Sequence, residues 1–172
     1  MKSLPLAARV YVVIVWVLGG ILLGTAFLTA PMAQPARFLI LLALTLLASV
    51  LKICVPLPRA LTETLSDNAL AMSMSVTVNL AALFSLGVSE ATLIAAAGAW
   101  AQTTFNVKTP NPLYRTLFNI AALVVTFQLT GWVYTQFGGA PNVWIWPDSL
   151  AAVMAAAITH FLANSLLSLI HI

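Results

Sequence analysis

Val10-Tyr11-Val12-Val13-Ile14-Val15-Trp16-Val17-Leu18-Gly19-Gly20-Ile21-Leu22-Leu23-Gly24-Thr25-Ala26-Phe27-Leu28 is an uninterrupted run without a single charge. At a helical rise of 1.5 Å per residue, a run of this length covers about 30 Å, the thickness of a bilayer's hydrocarbon core. A cleaved leader is the rival reading, because Lys2 and Arg9 precede the run and the small residues of Thr29-Ala30-Pro31-Met32-Ala33 follow it. Leader cores usually hold only about 7–15 apolar residues, so the stretch reads as a membrane span.

The rest of the chain agrees. Of 172 residues 62% are apolar and 6% are charged, and the mean hydropathy is +1.03, whereas about a quarter of the residues in soluble domains are charged. Eleven charges cannot coat a water-soluble globule of this size, and they fall in the breaks between apolar runs. A soluble enzyme, a nucleic-acid binder and a disordered chain are thereby excluded. The net charge of +3 reports topology, since basic residues collect where a membrane protein meets anionic cytoplasmic lipid. The single cysteine, Cys54, supports neither an intrachain disulfide nor a cysteine-rich metal site.

Five further runs follow. Residues 35–55 stop at Pro56 and Pro58, which cannot continue a helix. Residues 69–86 and 89–105 are shorter and more polar, and Gly87 with the cap-like Ser89 divides them as the turn of a helical hairpin. Residues 112–137 open at Asn111-Pro112, an N-cap followed by proline at the first helical position, and close before Gly138-Gly139. Residues 149–172 follow Pro147 and Asp148, the latter expected as N-cap. With residues 9–29 these make the expected fold all-α: a single domain over residues 1–172, a polytopic membrane helix bundle with about six transmembrane helices.

Alternating six spans from a cytoplasmic N-terminus places Lys2, Arg9, Lys52, Arg59, Lys108 and Arg115 inside and only Arg37 outside. The positive-inside rule therefore puts both termini in the cytoplasm, and removing the central hairpin as a pair leaves that orientation intact. Arg59, Lys108 and Arg115 are expected at the cytoplasmic lipid interface, where Arg115 can snorkel or meet lipid phosphate. Tyr11, Trp16, Trp144 and Trp146 are expected in the interfacial aromatic belts.

Polar side chains in such helices point to other helices or to a cavity. Ser75 and Asn79 share a face of the third helix, and the fourth carries the small residues Ala91, Ala95, Gly98 and Ala99 ahead of Gln102, Thr103 and Thr104. That row suits close packing within the hairpin. Arg115, Asn119, Ala122 and Thr126 form one stripe of the fifth helix, with Gln128 opposite and expected to meet a different neighbour. His160, Asn164 and His171 align on the sixth. Two readings stand for Asn79, Gln102, Asn119 and Asn164: interhelical hydrogen bonds worth on average about 0.6 kcal/mol each, or the lining of a pocket for a small polar or amphiphilic ligand opening toward the outer side. For His160 they are a satisfied core histidine or a ligand contact. His160 and His171 on one helix cannot both be axial to one haem iron, and no metal or other cofactor is expected.

Glu90 and Asp148 fall at helix starts, where an acid favours the helix dipole. No mid-membrane carboxylate or lysine of a coupled carrier, no nucleophile setting and no phosphate loop is evident. Catalysis is not expected of these residues; any catalytic domain lies outside them.

Four segments carry a resemblance: Ala71-Met72-Ser73-Met74-Ser75-Val76-Thr77-Val78-Asn79; Ala96-Ala97-Gly98-Ala99-Trp100-Ala101-Gln102; Pro112-Leu113-Tyr114-Arg115-Thr116-Leu117-Phe118-Asn119; and Phe161-Leu162-Ala163-Asn164-Ser165-Leu166. Across residues 69–169 the chain resembles the multi-helix membrane sensory region that precedes HD-GYP phosphodiesterase or GGDEF diguanylate cyclase domains in bacterial signalling proteins. The resemblance implies an inner-membrane input module for cyclic-di-GMP signal transduction, with a linker and output domain after the last span. The sequence ends at His171-Ile172, so the expectation is either a piece of a longer signalling protein or a relative that acts through a partner. Expected partners are membrane lipids, a small-molecule ligand, and a second copy or a cytoplasmic signalling protein, with no nucleic acid. Two rivals are the substrate-binding membrane component of a vitamin-type transporter, which would co-purify with an ATPase, and a structural membrane subunit whose polar residues only join helices.

Overall fold

The computed structural model describes residues 6–50, 52–54, 71–73, 75–105, 112–143, 145 and 147–169. Among these the chain forms six helices, α1 (Leu6–Thr29), α2 (Pro35–Val50), α3 (Ser75–Leu86), α4 (Val88–Thr104), α5 (Leu113–Gln136) and α6 (Ser149–Leu169). Two three-residue strands, β1 (Lys52–Cys54) and β2 (Ala71–Ser73), pair antiparallel with Ile53 opposite Met72.

Three helices are long and apolar enough to cross a membrane: Leu6–Thr29, Leu113–Gln136 and Ser149–Leu167. Their apolar side chains also face outward: Leu28 is 82% exposed, Phe27 70% and Phe161 70%. Water would penalise that surface and hydrocarbon would not, so this is the exterior of a membrane protein. Fewer helices reach this length than the six expected. The second span was expected to reach residue 55, but α2 ends at Val50, where the backbone passes into β1. At 16 residues it covers about 24 Å. The third, expected from residue 69, starts at Ser75 because Ala71–Ser73 is extended.

α5 packs against α1, α4 and α6, and α4 against α1, α2, α3 and α5. The buried positions of α5, Phe118, Ala121, Val124, Phe127, Thr130 and Tyr134 among them, run around its circumference rather than along one stripe. Small residues set three close approaches. A Cβ on Gly19 would lie 2.6 Å from that of Ala121, one on Gly131 2.5 Å from Val88 Cγ1, and one on Gly98 2.6 Å from Thr45 Cγ2. The last contact corrects an expectation: the small row of α4 serves its contact with α2 at Gly98, not only the hairpin with α3.

The α3–α4 turn is a single residue, Gly87, at φ 114°, a conformation costly for any residue with a Cβ. Gly87 holds the N-cap position without a side-chain cap, and Ser89, expected as the cap, lies in the first turn with its hydroxyl 2.9 Å from that of Thr29. At the start of α5 the N-cap position is held by Pro112 rather than Asn111, which lies outside the described residues. At the Gly87 end the connection after α5 folds back over the hairpin. The Asn142 backbone N–H donates to Phe84 O at 2.9 Å, and Arg37 donates to Asn142 Oδ1 at 3.0 Å. Glu90, in the first turn of α4, is buried beneath this clasp.

Candidate functional site

Most hydroxyls in these helices are consumed locally. Thr92, Thr103, Thr126 and Thr130 donate to the carbonyl four residues earlier, at 2.7, 2.9, 2.9 and 2.7 Å, the way a threonine hydroxyl is satisfied where no water is available. The side-chain amides have no such local solution and divide into two groups.

Asn79 and Gln102 are joined to neighbouring helices. Asn79 is 1% exposed, and its Oδ1 accepts from the Thr45 hydroxyl of α2 at 3.0 Å. Gln102 donates through Nε2 to Ser75 Oγ of α3 at 3.0 Å. Asn79 Nδ2 and the Ser49 hydroxyl find no partner among the described residues. Gln128 donates to Thr92 of α4 at 3.3 Å, so it meets the same helix that faces Asn119, contrary to expectation.

Asn119 and Asn164 behave differently. With Gln102 and Thr103 they line a cavity of about 150 Å³ between α4, α5 and α6, closed on its apolar side by Ala99, Phe118, Ala122 and Leu123. Neither asparagine makes a hydrogen bond to another described residue. Gln102 belongs to both groups, its Nε2 committed to Ser75 and its body in the cavity wall. Three of the five expected ligand residues thus share one cavity, while Asn79 lies elsewhere between α2 and α3. The cavity lies between the N-terminal half of α5 and the C-terminal halves of α4 and α6.

His160, the fifth, is 5% exposed one turn from Asn164. Its ring meets Phe127 edge-on at a centroid distance of 4.9 Å, and neither nitrogen has a hydrogen-bond partner among the described residues. Thr103, Ala99 and Ala122 were named from sequence for their helix faces but not as ligand residues, and Leu123 was not singled out. Thr103 was within reach of inference, being next to Gln102 where the small row of α4 gives way to polar residues.

Arg115 is exposed, with its guanidinium 5.9 Å from the centroid of the Tyr114 ring. Arg59, Lys108, Trp144, Trp146 and His171 lie outside the described residues. Tyr11 and Trp16, expected in an interfacial belt, are turned toward α5 instead, with the Tyr11 ring 5.8 Å from that of Phe118. They flank Val12 and Val15 on the one face of α1 that is covered. Beside Trp16 a second, wholly apolar cleft of about 210 Å³ opens between α1 and α5 at Gly19, Gly20 and Ala121. Among the described residues no group of three His, Cys, Asp or Glu side chains could hold a metal ion.

No family model, no curated protein and no solved structure matches the chain.

Proposed function

We propose that this chain is the sensory module of a bacterial inner-membrane signalling protein, in which a small polar ligand enters the cavity between α4, α5 and α6 and α6 carries the change to a cyclic-di-GMP output domain. The observation that carries the reading is the pair Asn119 and Asn164, two amides in apolar helices that face one cavity and bond to no other described residue. A side-chain amide in hydrocarbon costs free energy unless it is bonded, and a ligand meets that need where no helix does. The sequence likeness around Asn119 and Asn164 to sensory regions of HD-GYP and GGDEF proteins favours signalling as the use of the site. In this reading the chain crosses the membrane six times with both termini in the cytoplasm, as the distribution of Lys and Arg favours. The shorter α2, α3 and α4 then cross as a group packed on the longer helices.

A fusion of the chain to a diguanylate cyclase reporter tests the reading. Asn119→Ala and Asn164→Ala are expected to change cyclase output at unchanged membrane abundance, and output identical to wild type in both variants would sink it.

A further inference from the structure

The cavity between α4, α5 and α6 has a lining without charge. Four uncharged polar side chains, Gln102, Thr103, Asn119 and Asn164, meet an apolar wall that includes Phe118 and Leu123, and no described residue of the lining is ionisable. Arg115 stands one turn before Asn119 but is exposed and does not line the cavity. The described acids are remote: Glu90 precedes Gln102 by twelve residues of α4, about 18 Å of helix, and Asp148 precedes Asn164 by sixteen, about 24 Å. An anion or a cation in this space would lose hydration and meet no described counter-charge, a cost that bonds to neutral groups recover only in part.

Hydrogen bonds already made narrow the choice further. The Thr103 hydroxyl spends its one proton on the carbonyls of Ala99 and Trp100, at 2.9 and 3.0 Å, so it has only lone pairs left to offer. Gln102 spends one amide N–H on Ser75 Oγ, 3.0 Å away, and its Oε1 accepts from no described residue. Asn119 and Asn164 each keep a carbonyl oxygen and a whole NH2 group. Acceptors are therefore in excess, so a ligand must bring O–H or N–H donors, and the two asparagine NH2 groups call for an acceptor as well. The volume sets the size: a cavity of 150 Å³ is comparable to one that accommodates benzene, so the enclosed part of the ligand is about six non-hydrogen atoms.

We propose that the cavity takes a small uncharged molecule of the hydroxyl or carboxamide class, whose donors meet Thr103, Gln102 and the asparagine carbonyls and whose apolar edge lies on Phe118 and Leu123. The proposal rests on the ligand-binding reading above and adds the class of ligand.

The full chain is placed in nanodiscs of phosphatidylcholine, and its thermal midpoint is read at neutral pH with each of four probes at tens of millimolar. Lactamide, a molecule of the required size, carries a hydroxyl, an amide and a methyl group. Lactate keeps that skeleton as an anion, isopropanolamine keeps it as a cation, and N,N-dimethylacetamide is an amide without a donor. A ligand that binds only the folded state raises the midpoint. Lactamide is expected to raise it by a few degrees and the other three not at all, and the double variant Asn119→Ala, Asn164→Ala is expected to lose the rise. The contrast of lactamide with lactate in the unaltered chain needs no variant to fold. A rise with lactate or isopropanolamine as large as with lactamide, absent from the double variant, overturns the uncharged class and leaves the ligand site standing, and an equal rise with N,N-dimethylacetamide overturns the need for a donor. A lactamide rise that persists in the double variant is a solvent effect and overturns the proposal, as does no rise with any probe. If the Asn119 and Asn164 variants leave reporter output unchanged as well, the ligand reading falls with it.

Discussion

Asn79 and Asn119 are the same residue type in helices of similar polarity, and the fold uses them in opposite ways. Asn79 is enclosed between α2 and α3 and bonded to Thr45, so its amide joins helices. Asn119 faces an opening and bonds to no described residue, so its amide remains available. The lesson is that a polar residue in a membrane helix acquires its role from its neighbour's residue at the same depth. Thr45 makes Asn79 structural, and Ala99 and Ala122, too small to fill the space, leave Asn119 beside a cavity.

The contrast breaks most sharply where α2 meets α4. Gly98→Val would drive a side chain into Thr45 and Ser49, 2.6 and 3.1 Å from the position of an added Cβ. Such overpacking costs about 1–3 kcal/mol, and unfolding of the detergent-solubilised chain should register it as the largest loss of this series. Next comes a gain. His160→Leu removes two buried nitrogens without partners among the described residues, and since one unsatisfied polar group costs about 1–3 kcal/mol, the variant should be more stable by about 1 kcal/mol. A loss of stability would mean that the imidazole is bonded in the folded protein.

Asn79→Ala should follow, destabilising by about 0.6 kcal/mol and by no more than about 1.7. Its reporter response should persist once expression is matched. Smallest are Asn119→Ala and Asn164→Ala, within about 0.5 kcal/mol of wild type but without ligand response. Gln102→Ala should share both phenotypes, because its amide holds Ser75 and borders the cavity.

Much of this fold is legible in the residues. α1, α5 and α6 are long apolar runs with few competing signals, and Gly87 marks the hairpin turn because φ 114° suits little else. The end of α2 was not legible, since Ile53-Cys54-Val55 prolongs the apolar run of the sequence while the backbone of Lys52–Cys54 pairs with Ala71–Ser73. Hydropathy reports the solvent a segment prefers, not whether it is helical. In the site, the helical period put Arg115 on the stripe of Asn119 and His160 on that of Asn164, but only the two asparagines line the cavity, while Arg115 is exposed and His160 is buried against Phe127. It could not say that Thr45, one of two hydroxyls in an otherwise mostly apolar helix, would reach Asn79, because the packing of α2 on α3 is a tertiary fact with no signature along the chain.

Aqueous access to individual positions tests the division between the two asparagines most directly. In a Cys54→Ser background, Asn79→Cys, Asn119→Cys and Asn164→Cys chains in membranes are treated with a small water-soluble maleimide, and the labelling rates are compared. Rapid labelling at positions 119 and 164 with none at 79 is the expected result. Labelling at 79 as fast as at the other two, or inert thiols at both 119 and 164, would contradict the account.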